Sequence, residues 1–177
     1  MTQQPFSLTY INEDDRAYGL AGMVISLASL DAIDRVAQIC LDADGPMVEF
    51  SHAYYFSGSP SISPKSTWDN LVQNFHLTTS MVVSNILARS LVRLKEAAPG
   101  EIMAQIYDEV RREGEETCSL EDDEIENLYN NALRRSQRLF SNPRLHSAID
   151  EFARIISRRR SLSGMEILDE LRLLQLI

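Results

Sequence analysis

Cysteine and glycine are scarce in this chain, and their scarcity limits the chemistry that it can carry. Two cysteines, Cys40 and Cys118, occur among 177 residues, and neither has a partner at metal-ligand spacing. We therefore predict reduced thiols in a cytoplasmic protein, with a disulfide between the two as the alternative. The seven glycines form no phosphate loop of the P-loop or Rossmann kind, so the sequence predicts no cofactor.

Long hydrophobic runs are also missing. The longest uncharged stretch, residues 17–30, is shorter than the roughly 20 apolar residues that a membrane-spanning helix needs. Acidic residues at positions 13–15 precede it, whereas a signal peptide carries positive charge there. We therefore expect neither a membrane span nor a signal peptide.

Few residues stand in the arrangements that catalysis or metal binding requires. No serine lies in a Gly-x-Ser-x-Gly turn, and neither cysteine has the local signature of a nucleophile. Glu49 and His52 form a single Glu-x-x-His pair, but a di-iron helical bundle needs that pair on two helices and two further glutamates. We therefore expect no bound metal, and an enzyme or metal protein using Glu49 and His52 is the third of our functional hypotheses.

Positive charge is in the minority and unevenly distributed. The chain has 26 acidic and 17 basic residues and a net charge of −9, which disfavours general nucleic-acid binding because that binding relies on uncompensated positive charge. Residues 99–132 contain 11 acidic and two basic residues, whereas residues 133–177 contain five and nine.

The C-terminal arginines have two interpretations. We prefer the first, in which they end helices favourably and pair with the acidic segment 113–126. In the second they contact nucleic acid, and helices 143–160 and 163–175 resemble a helix-turn-helix, although the would-be recognition helix is acidic and apolar. The candidate contact residues for nucleic acid or a protein partner are Arg134, Arg135, Arg138, Arg158, Arg159 and Arg160.

Amphipathic helical patterns are what the sequence has in abundance. With 44% hydrophobic and 24% charged residues, the composition is that of a globular protein. Residues 66–94 carry apolar side chains three and four positions apart, which predicts one long central helix that ends before Pro99. Its apolar stripe predicts a scaffold role, and its polar face carries Asn85, Arg89 and Arg93 one turn apart.

The remaining helical segments fit the same bundle. Asn142 with Pro143, and Ser163 with Glu166, are helix-start signals, the second pair being a full capping box. Ser119 starts a similar pattern, and the acidic residues 113–116 before it predict a solvated connection. The segments are 16–30, 31–41 as its continuation or after a kink, 101–112, 119–140, 143–160 and 163–175.

Two stretches alternate apolar and polar residues, as half-buried strands do. They are residues 6–11 and 47–57, and each is the other's sole candidate partner. A two-stranded ribbon is therefore predicted, with a short helix starting at Pro46 as the alternative for 47–57. Together with the helices, this predicts a mainly α single domain over residues 1–177, a bundle of about six helices around the central one.

Two parts of the chain are candidates for apolar surface that one bundle does not cover, with core burial within the monomer as the alternative for the same residues. The candidate interface residues are Gly19 and Gly22 in the first helix and Leu173, Leu174, Leu176 and Ile177 at the C-terminus. Uncovered apolar surface of this kind becomes a subunit or partner interface. We therefore predict a non-enzymatic helical interaction module that self-associates as a homodimer, with a nucleic-acid-associated regulatory protein as the alternative.

Overall fold

The computed structural model describes residues 6–51 and 64–177, with side chains outside 64–70. Within these ranges the chain forms six α-helices and three short β-strands, which confirms the predicted mainly α fold. In chain order they are α1 (Glu13–Ser29), β1 (Val36–Cys40), β2 (Val48–Phe50), α2 (Pro64–Leu87), α3 (Gly100–Cys118), α4 (Asp122–Phe140), α5 (Pro143–Arg159), β3 (Ser161–Ser163) and α6 (Gly164–Leu173).

The predicted central helix is present, and the other helices gather around it. Helix α2 continues without a break into a π-helical segment, Ala88–Leu94, which ends where Lys95 takes a left-handed conformation with φ of 60°. Helices α1, α3 and α4 all pack against α2. Its apolar stripe is therefore scaffold, as the spacing predicted, whereas the wider π turn at its end has no counterpart in the sequence pattern.

Two glycines let α1 lie close to α2. A Cβ atom on Gly22 would press on the Ser84 carbonyl oxygen and lie 2.7 Å from the Ala88 Cβ, and one on Gly19 would lie 2.7 Å from the Asn85 side-chain nitrogen. Both glycines are buried within the chain. For these two glycines the structure therefore supports the alternative of burial within the monomer, because the neighbour that needs their small size is α2 of the same molecule.

The small sheet differs from the predicted ribbon. Strand β1 lies between β2 and β3 and is antiparallel to both. The pairing of 6–11 with 47–57 is therefore wrong: residues 6–11 form no strand, β2 pairs with β1, and the part of the stretch beyond Ser51 lies outside the described residues.

A β-bulge explains why β1 was predicted as helix. The register of β1 on β2 shifts between Val36 and Gln38, so Val36 and Ile39 are both buried although they lie three positions apart. One extra residue in a strand converts its period of two into a local spacing of three, which is the spacing that indicates a helix. The segment 31–41 consequently contains a short 3-10 turn, Ile33–Arg35, and then β1.

The connection between α3 and α4 is shorter than predicted. Residues 113–116 are part of α3. Gly114 is buried, and it packs so closely that a Cβ atom there would lie 3.0 Å from the side chains of Ile125 and Phe75. Ser119 has a left-handed φ of 52° and ends α3. Helix α4 is instead capped by Glu121 in a capping box with Glu124.

The other capping predictions are confirmed. The Asn142 side chain accepts a hydrogen bond from the Arg144 backbone N–H at 3.1 Å, with Pro143 opening α5. The Ser163 N–H donates to Glu166 at 2.8 Å in the predicted capping box of α6. Cys40 and Cys118 are thiols, the first in β1 and the second buried at the end of α3.

The length and the apolar character of the helices bear on membrane insertion. Over the described parts of the chain, the structure has no helix with both the length and the apolar character to cross a bilayer.

Replacing Gly22 with alanine tests the close packing of α1 on α2. We expect Gly22→Ala to lower the free energy of unfolding by about 1–3 kcal/mol, since the added methyl group overpacks the contact with Ser84. Gly45→Ala is the matched control, because a Cβ at Gly45 meets nothing within 4 Å. Urea unfolding measures the stability of both variants. Equal unfolding midpoints for Gly22→Ala and Gly45→Ala would show that the two helices are not in tight contact.

Candidate functional site

The polar face of the central helix leads to a buried ion pair. The side chains of Arg89 and Asp15 are both fully buried. The Arg89 Nη2 lies 2.6 Å from Asp15 Oδ2, and the Nε lies 2.9 Å from Oδ1. This two-point contact is the strong form of an arginine–carboxylate interaction.

The N-terminal segment closes around the same guanidinium. Arg89 donates to the backbone carbonyl oxygens of Ser7, Leu8 and Thr9 at 2.8, 3.3 and 3.0 Å. Its Cζ also lies 4.8 and 4.9 Å from the ring centroids of Phe6 and Tyr10. The positive charge is thus held by one carboxylate, three carbonyls and two aromatic faces, which orders residues 6–10 on the bundle.

Asn85 and Arg93, on the same helix face as Arg89, also bind α1 and the N-terminal segment. The Asn85 side chain donates to the Tyr10 hydroxyl at 2.8 Å. Arg93 donates to Asp14 at 2.7 Å and to Asp15 at 3.3 Å. All three polar residues therefore hold α1 and the N-terminal segment in place, and this cluster is structural.

A second polar feature is open to solvent. A groove of about 970 Å³ runs between α2 and α4. Val72 of α2 and Leu128 and Leu139 of α4 supply its apolar lining, and each is only partly buried. The groove therefore offers apolar surface that the monomer leaves accessible.

Three of the predicted contact residues line this groove together. They are Arg134, Arg135 and Arg138, all exposed on α4. Arg134 donates to the Asn131 side chain at 2.8 Å, and Arg135 donates to the Ser29 carbonyl oxygen at 3.3 Å. Among the described residues, none of the three pairs with a carboxylate, and none that lines the groove is acidic.

This observation corrects the predicted pairing of the C-terminal arginines with segment 113–126. It is Arg111 within α3 that lies 2.9 Å from Glu115 and 3.4 Å from Asp122. Arg111 therefore pairs with two of the acidic residues of that segment, and no carboxylate among the described residues pairs with the groove arginines.

The other three predicted contact residues lie at the end of α5 and do not reach the groove lining. Arg159 pairs with Glu166, and Arg160 pairs with Asp42 and Glu13. Arg158 is exposed. The six candidate arginines therefore fall into two sets in the fold. The three along the groove pair with no carboxylate of the described residues, and two of the three at the end of α5 do pair with one.

His76 also lines the groove, and no sequence motif indicates a role for it. Burial lowers the pKa of His76 below its usual value of 6.5, and the positive charge of Arg135 lowers it further. Both effects favour the neutral imidazole. The Ser29 hydroxyl on the same groove donates to its own helix at the Ser26 carbonyl, 2.7 Å away, so Ser29 and His76 do not form the hydrogen-bonded nucleophile and base of a hydrolase.

The C-terminal apolar residues divide between core and surface. Leu173 is 78% exposed and Ile177 is 50% exposed, whereas Leu174 and Leu176 pack against the core. Met165, which the sequence did not single out, is also 78% exposed.

The Glu-x-x-His pair gains no ligand set in the described structure. Glu49 is exposed on β2 and accepts a hydrogen bond from the Gln38 side chain, and His52 lies outside the described residues. Within 6–51 and 64–177, the structure has no group of three His, Cys, Asp or Glu side chains placed to hold a metal ion.

In comparisons with known proteins, the sequence matches no family model and no curated protein. The groove between α2 and α4 is the candidate site on the strength of its charges, exposure and geometry.

A double-mutant cycle tests the buried ion pair. We expect Asp15→Ala to lower the free energy of unfolding by about 3–5 kcal/mol, because it leaves the Arg89 charge buried without its carboxylate. Asp15→Ala with Arg89→Met should cost less than the sum of the single changes. Asp14→Ala, at the exposed end of the cluster, is the control and should cost about 1 kcal/mol or less. Additive effects in chemical denaturation would contradict the ion pair.

An NMR titration of His76 tests the electrostatics of the groove. A pKa below that of the unfolded chain means that the unfolded state binds more protons in the window just under pH 6.5, so this residue makes the fold less stable as the pH falls through that window. We expect Arg135→Gln to raise the pKa of His76, while burial still holds it below 6.5. Arg158→Gln, away from the groove, should leave it unchanged. A wild-type pKa of His76 at or above 6.5 would contradict the described burial.

Proposed function

We propose that this chain is a non-enzymatic helical interaction module whose binding surface is the groove between α2 and α4. Its partner is a polypeptide segment that carries both acidic and apolar side chains. The observation that carries the proposal is that Arg134, Arg135 and Arg138 pair with no carboxylate of the described residues and lie beside an apolar lining, in a chain whose net charge is −9.

The charge of the partner follows from the chemistry of arginine. Three guanidinium groups within two turns of one helix repel each other, and that repulsion is relieved when carboxylates bind. A planar guanidinium offers paired N–H donors that match a carboxylate at two points. Acidic side chains are therefore the complementary groups for this wall of the groove.

The apolar lining indicates the remaining character of the partner. Val72, Leu128 and Leu139 give the groove a surface that water solvates poorly. An open groove bordered by two helices accommodates an amphipathic helix or an extended segment, whose apolar side chains cover the lining while its acids reach the arginines. The partner we propose is consequently a protein segment.

Nucleic acid is the weaker candidate for the same surface. Arg159 and Arg160 are engaged by carboxylates, so the basic surface is smaller than the sequence alone predicted. The net charge of −9 also repels a polyanion at long range. A short acidic peptide carries far less charge than a duplex and is disfavoured less by this repulsion.

We further propose a cytoplasmic location. Reduced cysteines are usual in that compartment, and both cysteines of this chain are thiols.

Binding of a designed peptide tests the proposal. The probe is a labelled helical peptide with Glu and Leu at three- and four-residue spacing, followed by fluorescence anisotropy. We expect Arg135→Gln with Arg138→Gln to weaken binding by about tenfold or more, because two charge-assisted contacts are lost. The matched control, Arg144→Gln with Arg158→Gln, removes two exposed arginines outside the groove and should change the affinity little.

Three results would overturn the proposal. They are no binding of the peptide at low salt, an equal loss of affinity in both double variants, or tighter binding of a short labelled DNA duplex than of the peptide. The last result would support the nucleic-acid alternative. A peptide with Gln in place of every Glu should bind weakly, which separates charge recognition from simple apolar contact.

A further inference from the structure

We infer that the acidic segment which fills the groove is the first turn of α4 from a second copy of this chain, paired antiparallel across a two-fold axis. This inference rests on the proposed function and names the partner for it. It follows from the way charge is distributed along the exposed side of α4.

Helix α4 carries opposite charges at the two ends of one stripe. Glu124, Asn131, Arg135 and Arg138 are separated by seven, four and three residues, so they lie on one helix face, and all four are exposed. Asn131, Arg135 and Arg138 line the groove. Glu124, at the acidic end, is therefore in line with the groove wall, one heptad before Asn131.

The spacing of this stripe is self-complementary. Glu124 lies seven residues before Asn131, and Arg138 lies seven residues after it. If a second α4 runs antiparallel with the two-fold axis at Asn131, Glu124 of each copy comes level with Arg138 of the other. Symmetry makes each such contact twice, as it does in a two-fold interface.

The acidic groups at this end are available for the contact. Glu124 accepts the Glu121 backbone N–H through Oε2 at 2.9 Å, which leaves Oε1 open to a second donor. Its neighbour Asp123 is exposed and forms no ion pair within the described residues. Neither carboxylate thus pairs with an arginine of its own copy in the described part of the chain.

The pairing also covers apolar surface. Leu128 lies between Glu124 and Asn131 on the groove side of α4 and is only partly buried. In the antiparallel arrangement Leu128 comes level with Arg134 of the other copy, because the two are equally far from Asn131. The aliphatic stem of that arginine can pack on the leucine while its guanidinium stays in water.

A charge exchange tests the inference without a known ligand. Glu124→Arg places positive charge opposite Arg138, and Arg138→Glu places negative charge opposite Glu124, so each variant alone should dimerise about tenfold or more weakly than the wild type. Mixed together, the two variants restore both contacts of the interface, and we expect a heterodimer. Sedimentation velocity of each variant and of the mixture measures this, and circular dichroism confirms that both are folded.

The control mixes Glu124→Arg with Arg158→Glu, which has the same change of charge outside the groove. That mixed dimer keeps only one of the two Glu124–Arg138 contacts, so we expect it to form more weakly than the mixture of Glu124→Arg with Arg138→Glu. Because Glu124 also belongs to the α4 capping box, Asp123→Arg serves as a second acidic-end variant that leaves the cap intact. It too should weaken the dimer and pair with Arg138→Glu.

The outcomes separate this inference from the proposed function. A wild type that stays monomeric at high micromolar concentration but binds the acidic peptide overturns the inference and leaves the proposed function standing. A monomer that binds no peptide overturns both. A dimer insensitive to Glu124→Arg and Arg138→Glu overturns the inference, and loss of that dimer on Leu173→Ser would place the contact at the exposed C-terminal residues.

Discussion

The ion pair between Arg89 and Asp15 joins three separate parts of the described chain. Both side chains are fully buried, and a charge removed from water costs several kcal/mol unless its partners replace the lost hydration. Asp15 lies in the first turn of α1, where the helix dipole favours a carboxylate, and it also accepts the Ile11 N–H at 3.1 Å. Arg89 adds three backbone carbonyls from residues 7–9. One pair therefore fixes α1, the end of the central helix and the N-terminal segment relative to each other.

The arginines of the α1–α2 contact and those of the groove differ in whether a carboxylate lies beside them. At Arg89 and Arg93 the positive charge is answered by Asp15 and Asp14 within the chain. At the groove, Arg134, Arg135 and Arg138 have no such answer among the described residues. Within the described part of the chain, the fold pairs the buried Arg89 fully and leaves three exposed arginines side by side along the groove.

Much of the helical framework can be predicted from the sequence, because the signals for a helix come from residues that are close together in the chain. The periodicity of 66–94 and the capping box of Ser163 and Glu166 each depend on residues within a few positions, and both are confirmed. The failures arise where a distant neighbour decides the conformation. Strand β1 has a helical spacing because of a bulge against β2, and segment 113–116 stays helical because Gly114 packs on Ile125 and Phe75.

Only part of the candidate site can be predicted from the sequence, for the same reason. The sequence shows the run of arginines on α4, but the groove also needs Val72 and His76, which lie more than fifty positions earlier in the chain and reach α4 through the packing of α2. Sequence spacing also could not show which arginines would find carboxylates, since Arg160 pairs with Asp42 and Glu13 across the fold. Charge on one helix can be predicted, whereas its compensation is a property of the tertiary structure.

An acidic polypeptide bound in the groove between α2 and α4 would change the environment of the backbone amides on both sides of that groove. Chemical-shift mapping of the isotope-labelled wild-type protein, titrated with an acidic amphipathic peptide, locates the binding surface. We expect the perturbed backbone amides to lie in 72–76 and 128–139, with the end of α5 unaffected. Perturbations concentrated at 158–160 or at the C-terminal residues 173–177, or none at all, would rule out the groove as the binding surface.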